Sequence, residues 1–328
     1  MAESDFPLIE MLGSERQRIE NELLSAVQTS DEHLTELAQH LIVAGGKRLR
    51  PVLTMVAGAL GDGTISQDVV RGGVSCELVH LGSLYHDDVM DESPTRRGVE
   101  TVNAKWGNLQ AILAGDFLLA RASEIAASLG TEIAGLLAKT IAWLCEGQIE
   151  ELRTTYDPTR TNESYFASIR GKTASLYGTS AQVGGIVTGL DRPVIDALTE
   201  YGDSFGMLFQ IVDDVLDIVS TDEKLGKQAG HDMQVGVYTL PVLCTLANGD
   251  SAADRLYELL GETLEENRRV EALTIVRGSG GVEAACTIAK TFVETAVSAS
   301  EQFPDGRATD ALRAAPAALL ETVFSPTV

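Results

Sequence analysis

Apolar residues recur at helical rather than strand spacing along nearly the whole chain. Leu34, Leu37, Ala38 and Leu41 fall three and four apart, which aligns them on one helix face. Ser30-Asp31-Glu32 supplies an N-cap and a first-turn acid ahead of them, and Gly45-Gly46 ends the run. Longer helices are predicted over Asn108 to Leu129, Thr131 to Leu152 and Ile195 to Val219. Leu78 to His86 and Phe205 to Val212 are largely apolar and read as buried helix. Turn signals separate these segments at Gly61-Asp62-Gly63, Asp157-Pro158, Asp191-Arg192-Pro193, Asn248-Gly249-Asp250, Gly278-Ser279-Gly280-Gly281 and Pro304-Asp305-Gly306. Alternating strand patterns, low-complexity tracts and short repeats are absent. The pattern predicts an all-α chain, one domain over residues 1–328, with roughly ten or more helices bundled around buried central ones.

Composition narrows what such a bundle can do. At 44% hydrophobic, 328 residues suffice for a sizeable core. A net charge of −23 makes the bulk surface repel nucleic acid and anionic lipid headgroups, so neither is an expected partner. No apolar run is long enough to span a bilayer, and Met1 to Glu10 carries acids where a signal peptide needs a basic start. Cys76, Cys145, Cys244 and Cys286 sit singly in apolar surroundings without a CxxC pair. Buried free thiols, a cytoplasmic location and no stable membrane anchor are expected.

Two copies of one acidic motif change the picture most. Asp87-Asp88-Val89-Met90-Asp91 and Asp213-Asp214-Val215-Leu216-Asp217 each follow a buried apolar stretch. On a helix Asp87 lies over Asp91, and Asp213 over Asp217. Two carboxylates ~5 Å apart repel by roughly 3 kcal/mol at an effective dielectric near 20. Clusters of this kind among apolar residues call for cations, and an all-oxygen donor set suits magnesium, which completes its shell with water and phosphate oxygens. Basic side chains gather nearby in sequence: Gly45-Gly46-Lys47-Arg48-Leu49-Arg50-Pro51 is a glycine-hinged basic turn, and Arg96-Arg97-Gly98 follows the first cluster. Arginine forks and lysine charges grip diphosphate oxygens. His80 lies two turns before Asp87 and is either part of that site or a core histidine, whereas His86 reads as structural. Lys172, Thr173 and Lys227 interrupt segments of apolar or small residues, and Gln210 lies one turn before Asp213. Asp116 and Gln148 read as satisfied core polar groups.

The motifs GGKRLRP at 45–51, ELVHLGSLYHDDVMDESPTRRG at 77–98, GDF at 115–117, EGQ at 146–148, GKT at 171–173, FQIVDDVLD at 209–217, LGK at 225–227 and GHD at 230–232 stand in one order. In this the chain resembles the trans-type isoprenyl diphosphate synthases, most closely their medium- and long-chain polyprenyl members. The resemblance implies the isoprenoid synthase fold around a central cavity, a homodimer, and three magnesium ions per site. It implies that Asp87, Asp88, Asp91, Asp213, Asp214 and Asp217 hold the metal, directly or through water. Arg96, Lys172 and Lys227, with Thr173 and Gln210, would hold an allylic diphosphate; Lys47, Arg50, His80 and Arg97 would hold isopentenyl diphosphate. It also implies head-to-tail condensation of the two. Two departures are Val237, where the family commonly has lysine, and a C-terminus, Phe324 to Val328, without basic residues.

In many short-chain members of the family a bulky aromatic residue five positions before the first aspartate acts as a pocket floor. Here that residue is Gly82, which leaves space, while Tyr85 need not block the pocket. A long-chain product of about seven to nine isoprene units for a quinone side chain is therefore expected from the resemblance and the size of Gly82. The alternatives are a synthase of geranylgeranyl or farnesyl diphosphate, a terpene cyclase, and a non-catalytic subunit of a heteromeric synthase. The intact basic turns argue against a cyclase, and the two intact acidic clusters argue against a non-catalytic subunit.

Overall fold

The structure, a computed structural model, describes residues 6–220 and 228–324. Its first half runs α1 (Pro7–Leu12), α2 (Gln17–Ala26), α3 (Glu32–Val43), α4 (Leu49–Gly58), α5 (Gln67–Met90), α6 (Val102–Trp106), α7 (Asn108–Leu129) and α8 (Thr131–Arg153). It continues through α9 (Asn162–Ile169), α10 (Ser175–Val187), α11 (Arg192–Val219), α12 (His231–Gln234), α13 (Leu240–Leu246), α14 (Ser251–Leu259), α15 (Glu266–Gly278), α16 (Gly281–Ala299) and α17 (Arg307–Glu321). Among the described residues the only strands are β1 (Thr95–Arg96) and β2 (Val99–Glu100), an antiparallel hairpin that alternation too short to see in sequence could not announce.

The caps explain the boundaries. The N-cap of α3 is Asp31, one residue later than the expected Ser30: its carboxylate accepts a hydrogen bond from the Leu34 amide at 3.0 Å. Pro193 at the entrance of α11 lacks only an amide that would be unsatisfied there, so the helix starts at Arg192, three residues before the expected Ile195. Helix α7 has the expected bounds, and α8 extends one residue further.

Helices α4, α5, α10 and α11 form the centre. Every residue of α4 is buried, and so is the unbroken run Gly72 to Val79 of α5. Helix α5 packs on α4, α7 and α10, and α11 packs on α10 and α16. Phe205 of α11 stacks on Tyr201 and meets Phe6 and Tyr177, all four of them buried. Burial of each such ring contributes roughly 1.5–3 kcal/mol. Between α9 and α10 the chain makes a π-helical turn, Arg170–Ala174, which joins them into one interrupted helix. No helix among the described residues is long and apolar enough to cross a membrane. Cys76, Cys244 and Cys286 are buried free thiols, but Cys145 is exposed on α8, contrary to its apolar sequence surroundings.

Candidate active site

Both acidic clusters fall at helix C-termini. Asp87 and Asp88 lie in the last turn of α5, Asp91 is its C-cap, and Asp217 lies in the last turn of α11. The negative end of a helix is the least favourable place for carboxylates, so a cation there relieves both the pairwise repulsion and the dipole. Burial raises the pKa of Asp87, and the Asp91 charge adds to it against the pull of Lys172. Burial raises Asp91 likewise, opposed by Lys172, Arg96 and His231.

Within each cluster the middle aspartate departs from the expected pattern. Asp88 is buried, and its Oδ1 accepts from Arg96 Nε at 2.5 Å. Asp214 is buried, with Oδ2 accepting from the Tyr165 hydroxyl at 2.5 Å and Oδ1 from Gln210 Nε2 at 2.8 Å. Burial raises its pKa well above the ordinary carboxylate value. Asp214 thus has both oxygens bonded to protein, one to Tyr165 of α9 and one to Gln210 of its own helix. Asp213 is exposed, and the Asp217 carboxylate accepts the Asp232 amide at 3.4 Å. Asp87, Asp91 and Asp213 are therefore the carboxylates presented outward, all of them hard oxygen donors that fit a divalent cation. Among the described residues no three His, Cys, Asp or Glu side chains already converge on one point.

The π turn bridges the two walls. Lys172 Nζ bonds Glu151 Oε1 at 2.8 Å. Burial alone would lower its pKa, but Glu151, Asp87 and Asp91 outweigh that and raise it, so Lys172 stays charged beside the first cluster. The neighbouring Thr173 hydroxyl donates to Gln210 Oε1 at 2.9 Å, which fixes the amide so that its nitrogen faces Asp214. Adjacent residues of one turn thus serve opposite clusters. Glu151 and Tyr165 carry no motif; an acid three residues after Gln148 on an apolar helix was the only signal for the first. Gln148 itself is not satisfied as expected, since its buried Oε1 has no partner, and Asp116 is exposed rather than in the core. His86 bonds the Ile112 carbonyl at 3.2 Å and is structural, as expected.

The second basic group lies around His80. Arg50 is buried with its guanidinium 4.6 Å from the Tyr177 ring centre, and its Nε has no protein partner. Lys47 is exposed. Arg97, in a left-handed conformation, donates to the carbonyls of Leu41 and Gly45 and lays its guanidinium on Gly46. Burial, then the charges of Arg50, Arg97 and Arg96, hold the His80 pKa well below the ordinary value. Arg48 departs from expectation: it faces inward and is buried. Lys227 lies outside the described residues.

Gly82 does not border open space. A Cβ there would lie 3.1 Å from the Gly115 carbonyl and 3.2 Å from Leu119, so the glycine lets α5 and α7 touch. Tyr85 is buried, its hydroxyl donating to the Leu37 carbonyl at 2.6 Å.

Comparison with known proteins identifies the family. The sequence profile of the family described as polyprenyl synthetase matches residues 31–275. The nonaprenyl diphosphate synthase of Mycobacterium tuberculosis is 38% identical over 88% of this chain and 86% of its own. A decaprenyl diphosphate synthase from Rhodobacter capsulatus superposes with a TM-score of 0.89 at 31% identity, covering 96% of this chain and 98% of its own. A polyprenyl synthase from Caulobacter crescentus, solved with calcium and isoprenyl diphosphate, gives 0.89 at 30% identity, with 96% of each chain covered. The chain therefore belongs to the polyprenyl synthetase family of trans-type isoprenyl diphosphate synthases and is an enzyme of prenyl chain elongation.

Proposed function

We propose that the protein condenses an allylic diphosphate with isopentenyl diphosphate to a long all-trans polyprenyl diphosphate of about seven to nine isoprene units, as the side chain of a quinone. The observation that carries this reading is a pair of cationic groups: Lys172, held charged beside Asp87 and Asp91, and Arg50 and Arg97, whose charges act on a neutral His80, with the Arg50 guanidinium on the Tyr177 ring. One diphosphate belongs to each. The long product is supported by the nonaprenyl and decaprenyl synthases among the relatives. Magnesium, three ions per site, is the metal in this reading, and when bound it would supply positive charge to neutralise a departing diphosphate. Asp87, Asp88, Asp91, Asp213, Asp214 and Asp217 would hold the metal, directly or through water, with Asp87, Asp91 and Asp213 the most open to it. Lys172, Lys227, Thr173 and Arg96 orient the allylic diphosphate as its carbon–oxygen bond breaks and the electron pair leaves with the diphosphate. Lys47, Arg50, His80 and Arg97 hold isopentenyl diphosphate so that its double bond attacks the allylic carbon. A proton is then lost to the released diphosphate. The protein acts in the cytoplasm as a homodimer, for which exposed Leu109, Ile112 and Leu113 on α7 supply an apolar face.

A short-chain product is favoured by one observation, the contact of Leu119 and the Gly115 carbonyl with the Gly82 position. Mass spectrometry of products separates the two. The purified protein is incubated with magnesium, excess isopentenyl diphosphate and, separately, geranyl, farnesyl and geranylgeranyl diphosphate. Products beyond six isoprene units support the long-chain reading. Products ending at three or four units make it a short-chain synthase, and no elongation refutes both.

A further inference from the structure

Arg48 stands apart from the other cations of its turn. Its neighbours Lys47 and Arg50 take part in the proposed anion pocket, whereas the Arg48 side chain is wholly buried. Its Nε donates to Glu20 Oε1 at 2.8 Å and its Nη2 to Glu20 Oε2 at 3.3 Å. Nη1 donates to Glu77 Oε1 at 3.0 Å, and Nη2 also to the Ile42 carbonyl at 2.7 Å. One guanidinium therefore ties α2, the end of α3 and α5 together. Its donors are spent on two carboxylates and a carbonyl, so it holds the turn rather than gripping an anion itself.

The backbone shows what this anchorage accomplishes. Arg48 itself has φ of 53° and ψ of 36°, a left-handed conformation that a non-glycine residue adopts only when its surroundings hold it there. Gly45 and Gly46 precede it, also at positive φ. The reversal turns Lys47 outward and sends Arg50 into α4, over the Tyr177 ring. Glu77, whose side chain is 2% exposed, stands one turn before His80 on α5. The Arg48–Glu77 bond fixes the basic turn against the helix that carries His80, and it also occupies a buried carboxylate that would otherwise repel an anion beside that histidine.

We propose that Arg48 is a positioning residue for the isopentenyl diphosphate pocket, setting Lys47 and Arg50 in register with His80 through its bonds to Glu77 and Glu20. This rests on the assignment of that pocket made above. The test compares KM for isopentenyl diphosphate with KM for farnesyl diphosphate, alongside thermal unfolding. Arg48→Lys keeps the charge but, with three donors and no planar fork, cannot make the four bonds to Glu20, Glu77 and Ile42; its KM for isopentenyl diphosphate should rise about tenfold, the equivalent of one charge-assisted hydrogen bond. Its KM for farnesyl diphosphate should stay within about twofold, since the allylic groups lie elsewhere. Glu77→Gln should act in the same direction, and the double variant should be no worse than the poorer single one. Glu20→Gln alters only the partly exposed partner and supplies the same readout should Arg48→Lys not fold. Lys47→Ala tests the pocket itself. If Lys47→Ala raises the KM for isopentenyl diphosphate while Arg48→Lys and Glu20→Gln do not, the positioning role is refuted and the pocket stands. Equal effects of Arg48→Lys on both KM values also refute it, as a merely structural role would produce them. If Lys47→Ala leaves that KM unchanged, the pocket assignment is refuted and the positioning role with it.

Discussion

Gly147 of α8 presses its backbone against the π turn that carries Lys172, so Gly147→Ala asks what that contact is for. A Cβ at 147 would fall 2.4 Å from the Lys172 amide nitrogen, 2.6 Å from the Ser168 carbonyl and 2.9 Å from the Gly171 carbonyl carbon. Gly171 is confined in return, with a Cβ there falling 2.6 Å from the Trp143 carbonyl. Ordinary contact begins near 3.4 Å, and every obstacle to the new methyl is main chain, so no rotamer change relieves it. The two segments must part by about 1 Å, an overpacking worth about 1–3 kcal/mol. For a chain of this size that lowers Tm by about 1.5–4 °C. Lys172 moves with its backbone, and a displacement of about 1 Å in a site residue costs up to 100-fold in rate. The loss should fall on kcat/KM for the allylic diphosphate, with KM for isopentenyl diphosphate within about twofold, because Lys172 faces Asp87 and Asp91. Steady-state kinetics with each substrate varied, plus calorimetry, measures both. Gly135→Ala is the matched control: it lies on the same helix with nothing within 4 Å of the new methyl. It should stabilise by about 0.5–1 kcal/mol through helix propensity and leave the kinetics alone. Native Tm and native kcat/KM in Gly147→Ala would refute the argument that this contact positions Lys172.

Two further perturbations address the groups around that site. Tyr165→Phe removes the 2.5 Å bond to buried Asp214 and should cost about 1.5–3 kcal/mol in urea unfolding, with kcat reduced more than either KM; a variant as stable as the parent would show that Asp214 needs no such anchor. Asp203, pushed by burial from 3.8 to about 6 against the pull of Arg170, gives a pH signature. Its carboxyl is protonated in the fold at pH values where the unfolded chain has already ionised. Its stabilising contribution is complete below about pH 4 and lost as pH rises through about 6, amounting to roughly 2–3 kcal/mol. Asp203→Asn should remove that part of the pH dependence between about pH 4 and 7 and be the more stable protein at neutral pH; parallel curves for variant and parent would exclude the effect.

The long helices were legible because burial imposes periodicity on their sequence, and Asn108–Leu129 and Thr131–Arg153 follow it almost to the residue. The outward carboxylates were legible for the opposite reason, since acids repeated after apolar runs have no structural excuse. The middle aspartates were not, because Asp88 and Asp91 look alike in one dimension while only Asp88 meets Arg96. Long-range partners such as Tyr165 for Asp214, or Glu20 and Glu77 for Arg48, are fixed by helix packing and leave no local pattern. Arg48 is the clearest case: three cations in four residues suggest one anion-facing surface, yet a left-handed backbone at the second turns it inward. Gly82 misled in another way. A small residue signals either a vacancy or a close approach, and only the position of α7 distinguishes them.

The five-residue turn Arg170–Ala174 gives the helix from Asn162 to Val187 a phase slip. A π turn carries about one residue more than the α turn it replaces, so the two halves are out of step by roughly 100°. The leading half aims Tyr165 at Asp214, the slip itself sends Lys172 and Thr173 to different clusters, and the trailing half sets Tyr177 under Arg50. A helix of uniform pitch through the same endpoints could keep one of these appointments but not all. Deleting a single residue from the turn would retime everything before it and swing Tyr165 off Asp214 without altering any side chain's chemistry. Coordination between the two acidic walls is thus encoded in a count of residues, and insertions or deletions here, more than substitutions, would be the events that decouple them.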